Sequence, residues 1–295
     1  MSIVINTPNG TIGRKVSQSI LDAGEALTVI SRTADKAKPL SERGATLHQG
    51  SIDDPEVLRA AFRGAKTLFW LTPPVGRPDY FAWSVEAAKR AAALASEAGI
   101  QHVVVLSSIG AQNGPGTGPV GCLLEIEDLF RASFANVTVL RPGFFMENLF
   151  RDLATIQSMG TIFTPLPADA KVPMVAADDI AATATAALRQ PGSGHRTIGV
   201  HGPTDLSQRD VAALVSEAWG RPVKLVPVSL EDARAGMVQA GLPEFAVDIV
   251  IEMFAAARDG RMNAAEPRTA ETTTPTSFAE FARTTLVPAL NSAAS

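Results

Sequence analysis

Two glycines three residues apart, Gly10 and Gly13, lie in the stretch INTPNGTIGRKV at residues 5–16, directly after an apolar run. A turn of this kind between a strand and a helix lets backbone N–H groups close around a pyrophosphate, with the helix N-terminus aimed at it. Gly10 stands where backbone would approach the phosphates, and Gly13 where helix and sheet would pack closely. The usual first glycine of such a turn is replaced by Thr7, which allows a tight turn at negative φ and adds a hydroxyl. A second reader of a dinucleotide belongs at the end of the next apolar run. An acidic residue there would hold the ribose hydroxyls of NAD; this chain has Ser31 and Arg32, followed by Lys36 and Lys38. Arginine and serine suit the adenosine 2′-phosphate of NADP, so NADP is the expected cofactor and NAD the second choice.

Groups for proton transfer are scarce. The only tyrosine is Tyr80, and no lysine occurs between Lys89 and Lys171. The four histidines (His48, His102, His195 and His201) form no cluster, and no spacing suits a metal. Asp53 and Asp54 look like paired carboxylates but read more simply as the start of a helix. What remains is shape. Tyr80, Trp83, Phe144 and Phe145 can hold a planar ring, with core packing as the competing use. Ser107 and Ser108 close the fifth apolar run, either orienting a substrate or capping the strand end. Asn148 is placed to reach a ligand cleft. No residue is assigned a catalytic role. Hydride transfer to a quinone needs mainly orientation and a dry pocket, because the acceptor is electron-poor and the product oxyanion delocalised, with water or a hydroxyl supplying the proton.

These residues need a frame, and the hydropathy pattern supplies one. Apolar runs at 2–6, 26–31, 45–50, 67–71, 102–108 and 137–142 alternate with helix-length segments at 13–24, 33–44, 54–64, 79–98 and 120–134. That rhythm predicts an α/β fold, a doubly wound parallel sheet with helices on both faces. After residue 150 the rhythm changes: 161–175 is proline-rich, helices are expected at 177–192, 206–220, around 231–258 and near 277–290, with strands at 195–203 and 223–229. We expect a dinucleotide-binding domain over 1–150, with 175–200 returning to it, and a smaller, mainly helical substrate lobe over 151–295. That lobe is expected over the carboxyl ends of the strands. A glycine–proline segment, GAQNGPGTGPVG at 110–121, is able to fold over a substrate.

Net charge is −4 with a pI near 5.6, and no basic block offers a footprint for nucleic acid. The single cysteine, Cys122, excludes an intramolecular disulfide. No stretch approaches a membrane span and no signal peptide is visible, so a cytoplasmic protein is expected. The expected partner is a small aromatic or quinone molecule, and self-association into a homo-oligomer is left open.

TPNGTIG, SRTADKA, GSIDDPEVLRAAF, LFWLTPP, VVVLSSIGA, EIEDLFRAS, TVLRPGFFMENL, VPMVAADDIA and GPTDLSQRDVAALVSEAWGRPV together resemble the NmrA-like family of atypical short-chain dehydrogenases/reductases. The similarity spans about residues 3–230, and LRPGFFMENL at 140–149 is its most specific piece. The resemblance implies a Rossmann domain with a small C-terminal lobe and NADP or NAD in a cleft between them. It places Thr7, Asn9, Gly10, Thr11 and Ile12 at the pyrophosphate, and Arg32 and Lys36 at the adenosine phosphate. Ser51 and Ile52 fall near adenine, although the family commonly has Asp where Ser51 stands. Leu71, Thr72, Pro73 and Ser107 flank the nicotinamide, and Pro142, Gly143, Phe144 and Phe145 roof it and the substrate. With Tyr80, Ser107 and Asn148, the two phenylalanines make up the expected substrate contacts.

Two proton-handling signatures of that relationship are missing. A typical short-chain dehydrogenase uses Tyr-x-x-x-Lys, but Ser84 stands four residues after Tyr80. Quinone reductases of the family often carry a lysine four residues before Glu127, where this chain has Leu123. Two readings follow: an NAD(P)H-dependent oxidoreductase of quinones or polycyclic aromatics, including tailoring of aromatic polyketides, or an NAD(P)-sensing regulator that binds cofactor without turnover. A third, weaker reading is an isomerase or coupling enzyme on the same fold.

Overall fold

The computed structural model describes residues 2–74 and 76–292. Its first half alternates strand and helix: β1 (Ser2–Ile5), α1 (Thr11–Asp22), β2 (Ala26–Ser31), α2 (Ala34–Glu42), β3 (Thr46–Gln49), α3 (Pro55–Phe62), β4 (Thr67–Leu71), α4 (Tyr80–Glu97), β5 (His102–Leu106), α5 (Leu123–Ser133) and β6 (Val137–Pro142). There follow β7 (Phe144–Phe145), α6 (Leu153–Met159), β8 (Thr161–Thr164), β9 (Val172–Val175), α7 (Ala177–Arg189), β10 (His195–Val200) and β11 (Asp205–Leu206). The remainder is α8 (Gln208–Trp219), β12 (Lys224–Pro227), α9 (Leu230–Gln239), α10 (Glu244–Arg258), α11 (Phe278–Phe281) and α12 (Val287–Ser292).

These elements form two compact units, each drawn from three chain segments. One comprises Met1–Ser108, Cys122–Arg141 and Ile180–Ile198; the other Ile109–Gly121, Pro142–Asp179 and Gly199–Ser295.

The first unit is built on a seven-stranded sheet of order β3-β2-β1-β4-β5-β6-β10. β1 runs parallel to β2 and β4, β2 to β3, β4 to β5, and β5 to β6. Parallel strands covered on both faces need apolar side chains at successive positions. In β4, Thr67, Leu68, Phe69 and Trp70 are accordingly all fully buried, as is nearly all of β5. Strand order reverses beside β1, where the chain winds outward to β3 and then crosses to β4. Open α/β sheets leave a ligand crevice at the carboxyl ends of the strands at such a point. Asn6, the residue after β1, ties that edge together. Its side-chain amide donates to the Leu71 carbonyl at 2.9 Å and its oxygen accepts from Leu71 N–H at 3.0 Å, adding one rung between β1 and β4.

In the second unit β9 lies between β11, antiparallel, and β7, parallel, while β8 and β12 form a separate parallel pair. The core collects Met146, Leu149, Ile156, Met174, Val211, Val215, Phe278 and Leu286 around α8. Ser207 and Asp210 close a reciprocal capping box at the start of α8. The helix expected near 277–290 runs without a gap from Phe278 to Ser292, with a change of register inside it. α11 widens into a π-helical turn at Ala282–Leu286 before α12. Pro288 lacks an N–H to return to the preceding turn, and the ladder is re-registered around it. Among the described residues, no helix is long and apolar enough to cross a membrane.

Candidate cofactor and substrate site

The glycine turn follows β1 and opens α1 at Gly10. No side chain caps this helix and its first turn carries no acidic residue. The first intrahelical bond runs from Arg14 N–H to the Gly10 carbonyl at 2.9 Å, so the N–H groups of Thr11, Ile12 and Gly13 have no helical acceptor. The two glycines do different things. A Cβ on Gly13 would lie 1.9 Å from the Thr7 carbonyl oxygen, so the fold itself requires the missing side chain. A Cβ on Gly10 would meet only that same oxygen, at 3.8 Å, an ordinary contact. The space above Gly10 is therefore left clear by the protein. Thr7 Oγ1 is buried with no hydrogen-bond partner among the described residues. An uncapped helix N-terminus, a clear approach at Gly10 and an orphaned hydroxyl fit a dinucleotide pyrophosphate.

The carboxyl ends of the neighbouring strands bring further expected residues to this edge. Arg32 is exposed just after β2 and Lys36 in the first turn of α2, and Asn9 is exposed on the glycine turn. Ser31 ties two segments together at this edge. Its hydroxyl donates to the Thr33 carbonyl at 2.9 Å and accepts from Asn9 Nδ2 at 2.6 Å, linking the glycine turn to the end of β2. After β3, Ser51 is half-buried and Ile52 buried; Leu71 at the end of β4 and Thr72 and Pro73 after it are half-buried. Asp54 caps α3 by accepting from Glu56 N–H at 2.9 Å, whereas Asp53 accepts from Trp83 Nε1 at 2.7 Å. Burial raises the Asp53 carboxyl, but hydrogen bonds from Ser51 and Trp83 outweigh it and hold the group below its ordinary value. Trp83, with the Arg77 guanidinium 5.1 Å from its ring centre, thus clamps α4 to the start of α3.

Tyr80 is only 5% exposed at the start of α4. Burial, then the neighbouring Cys122, pushes its phenol above its ordinary range, which makes it a weaker proton donor. Leu123 is 9% exposed in the first turn of α5.

Ser107 ends β5 with its backbone N–H bonded to the Leu140 carbonyl at 2.8 Å. Its hydroxyl meets Glu127 Oε1 at 2.5 Å. Glu127 is completely buried, and Arg141 grips both its oxygens, from Nε at 3.0 Å and from a terminal nitrogen at 2.7 Å. Arg131 adds a bond of 3.0 Å from the next turn of α5. This cluster escaped the sequence reading, which noted Glu127 but gave Arg141 no role. The available signal was one arginine in the apolar strand VTVLRP and one glutamate on the face of α5 that buries Ile126 and Phe130.

The remaining expected residues belong to the second unit. Pro142 and Gly143 are buried, and Phe144, Phe145 and Asn148 are half-buried. Phe144 and Phe145 pair with Met174 and Val175 of β9. Glu147 caps α7, accepting from Ala177 N–H at 2.9 Å. The glycine–proline segment is pinned within this unit rather than left as a loose flap. Gly118 N–H donates to Glu252 of α10 at 3.1 Å, Asn113 to the Arg261 carbonyl at 2.6 Å, and Arg261 to the Gly116 carbonyl at 2.7 Å.

The model of the NmrA-like family matches residues 1–282. An NAD(P)H azoreductase of Xenophilus azovorans is 35% identical over 257 residues, covering 86% of this chain and 87% of its own. Among solved structures, a Citrobacter sp. triphenylmethane reductase complexed with NADP(H) superposes with a TM-score of 0.81 at 23% identity, over 96% of this chain and 99% of the other. An NADPH-dependent quinone oxidoreductase from Escherichia coli, complexed with NADPH, gives 0.83 at 22% identity, over 95% and 98%. At such identities the two structures speak for the fold.

Proposed function

The chain belongs to the NmrA-like family and is an NAD(P)H-dependent oxidoreductase; within that class we propose that it reduces flat, electron-poor aromatic acceptors, quinones or azo compounds, with NADPH. The observation that carries the reading is the α1 N-terminus, uncapped and clear at Gly10, with Arg32 and Lys36 exposed beyond the neighbouring strand end. Bound NADPH supplies a hydride. The turn from Thr7 to Ile12 holds the pyrophosphate, Arg32 and Lys36 the 2′-phosphate, and Ser51 with Ile52 the adenine side. Leu71, Thr72, Pro73 and Ser107 are the proposed contacts of the nicotinamide, with Pro142, Gly143 and Phe144, and Tyr80, Ser107, Phe144, Phe145 and Asn148 those of the acceptor. No side chain acts as a strong acid, so acceptors whose reduced form needs little protonic help are favoured.

Polycyclic aromatics of the kind tailored in polyketide synthesis share that flat, electron-poor character and belong to the same proposal. A relative at 35% identity that bears a reductase name favours turnover over cofactor sensing. A cytoplasmic location, where NADPH is kept reduced, belongs to the same proposal. Steady-state NADPH oxidation against a panel of small quinones and azo dyes tests the proposal: saturable oxidation is expected. NADPH binding without oxidation by any acceptor would transfer the case to the sensor reading.

A further inference from the structure

The proton of one hydroxyl at the ligand edge can be traced. Both carboxylate oxygens of Glu127 face guanidinium nitrogens: Oε1 takes Arg141 Nε, and Oε2 takes terminal nitrogens of Arg141 and Arg131. A guanidinium only donates, and a carboxylate gripped by two of them only accepts. The hydrogen between Ser107 and Glu127 Oε1 therefore belongs to Ser107. A serine has a single O–H, and here it is directed inward. Whatever approaches Ser107 from the carboxyl end of β5 meets lone pairs alone.

We propose that Ser107 is a fixed hydrogen-bond acceptor for the bound molecule, and that Glu127 is the positioning residue that holds it in that state. Arg131 is itself anchored by Asp128 at 3.0 Å and Thr197 at 2.9 Å, and Arg141 is 7% exposed, so the carboxylate has no freedom to turn away. The inference rests on the reductase reading and refines it. Ser107 passes no proton to the acceptor; it selects an N–H or O–H donor. Two sources offer one: the carboxamide of the nicotinamide, or a hydroxyl carried on the aromatic substrate.

NADP⁺ and its 3-acetylpyridine analogue, which keeps the carbonyl but carries methyl in place of NH₂, separate the sources by calorimetric titration. If the carboxamide is the donor, Ser107→Ala weakens NADP⁺ about 3- to 10-fold and leaves the analogue unchanged. If the substrate is the donor, both cofactors bind as before, and KM rises by a similar factor only for hydroxylated quinones. Glu127→Gln should reproduce the selective loss, and combined with Ser107→Ala should add nothing to it. Glu127→Asp, which keeps the charge for Arg141 while withdrawing from Ser107, is the milder variant should Glu127→Gln fail to fold. Equal losses for both members of each pair, or no loss in Ser107→Ala, overturns the acceptor role. A wild-type chain that binds no NADPH overturns the parent reading, and the acceptor with it.

Discussion

A methyl group added at Gly10 and one added at Gly13 would have opposite consequences. At Gly13 it would sit 1.9 Å from a carbonyl oxygen that belongs to the turn itself. Gly13→Ala should therefore lower stability by about 2–4 kcal/mol, read as a fall in Tm. At Gly10 the protein leaves room, so Gly10→Ala should leave Tm nearly unchanged while weakening NADPH, and Gly10→Val should abolish binding. An unaltered NADPH affinity in Gly10→Val would remove the dinucleotide from this turn. Arg32 supports a companion prediction. Arg32→Glu should weaken NADPH by about 10- to 100-fold and NADH little, since only the former carries the phosphate; equal losses would identify another reader. The glycine turn was legible in the sequence because its parts are adjacent. The Ser107–Glu127–Arg141 cluster was not, because its members come from β5, α5 and β6 and only folding joins them. The bond from Asn9 to the Ser31 hydroxyl joins two loops that are distant in the sequence, and no local pattern announces it.

Secondary elements separate in a similar way. The parallel strands were legible as short apolar runs because burial on both faces leaves little choice of residue. The attachment of segment 109–121 was not, since it depends on distant partners. Gly118 makes that attachment testable. With φ +61°, it sits where a Cβ would approach Met253 Cβ and the Ile249 carbonyl of α10, each at 2.5 Å. Gly118→Ala should combine left-handed strain with a clash, at a cost of about 2–3 kcal/mol. Hydrogen exchange over α10 should then accelerate while the parallel sheet stays protected; unchanged exchange in α10 would mean that the segment does not hold the helix.

Over the whole molecule, pH acts with opposite sign on two buried histidines and a half-buried carboxyl. His102 and His201 are both held below the ordinary 6.5 by burial, with Arg268 adding to the effect at His201. The unfolded chain takes up those protons first as pH falls through about 6.5, so the fold loses stability there. Asp152 works the other way. Burial raises its carboxyl to about 6, against the pull of Arg151, so the folded state takes up its proton first and recovers stability as pH falls from 7 towards 4. Asp152→Asn should raise stability at pH 8 by about 1 kcal/mol, a gain that fades below pH 6. Thermal melts of the two proteins at pH 8 and pH 5 check it, and an equal gain at both would contradict the assignment.

The place of β10 beside β6 has a consequence for how the chain is made. β6 is buried along its whole length, yet the strand that covers its free edge is finished only at Val200. At ribosomal speeds of about 5–20 residues per second, the intervening stretch of about 60 residues takes roughly 3–12 s to synthesise. Throughout that interval a nascent chain carries VTVLRP with one side unsatisfied, which is long enough for a chaperone to bind or for two neighbouring chains on one message to pair. A stalled or truncated product ending near residue 150 is thus an aggregation hazard rather than a small folded domain.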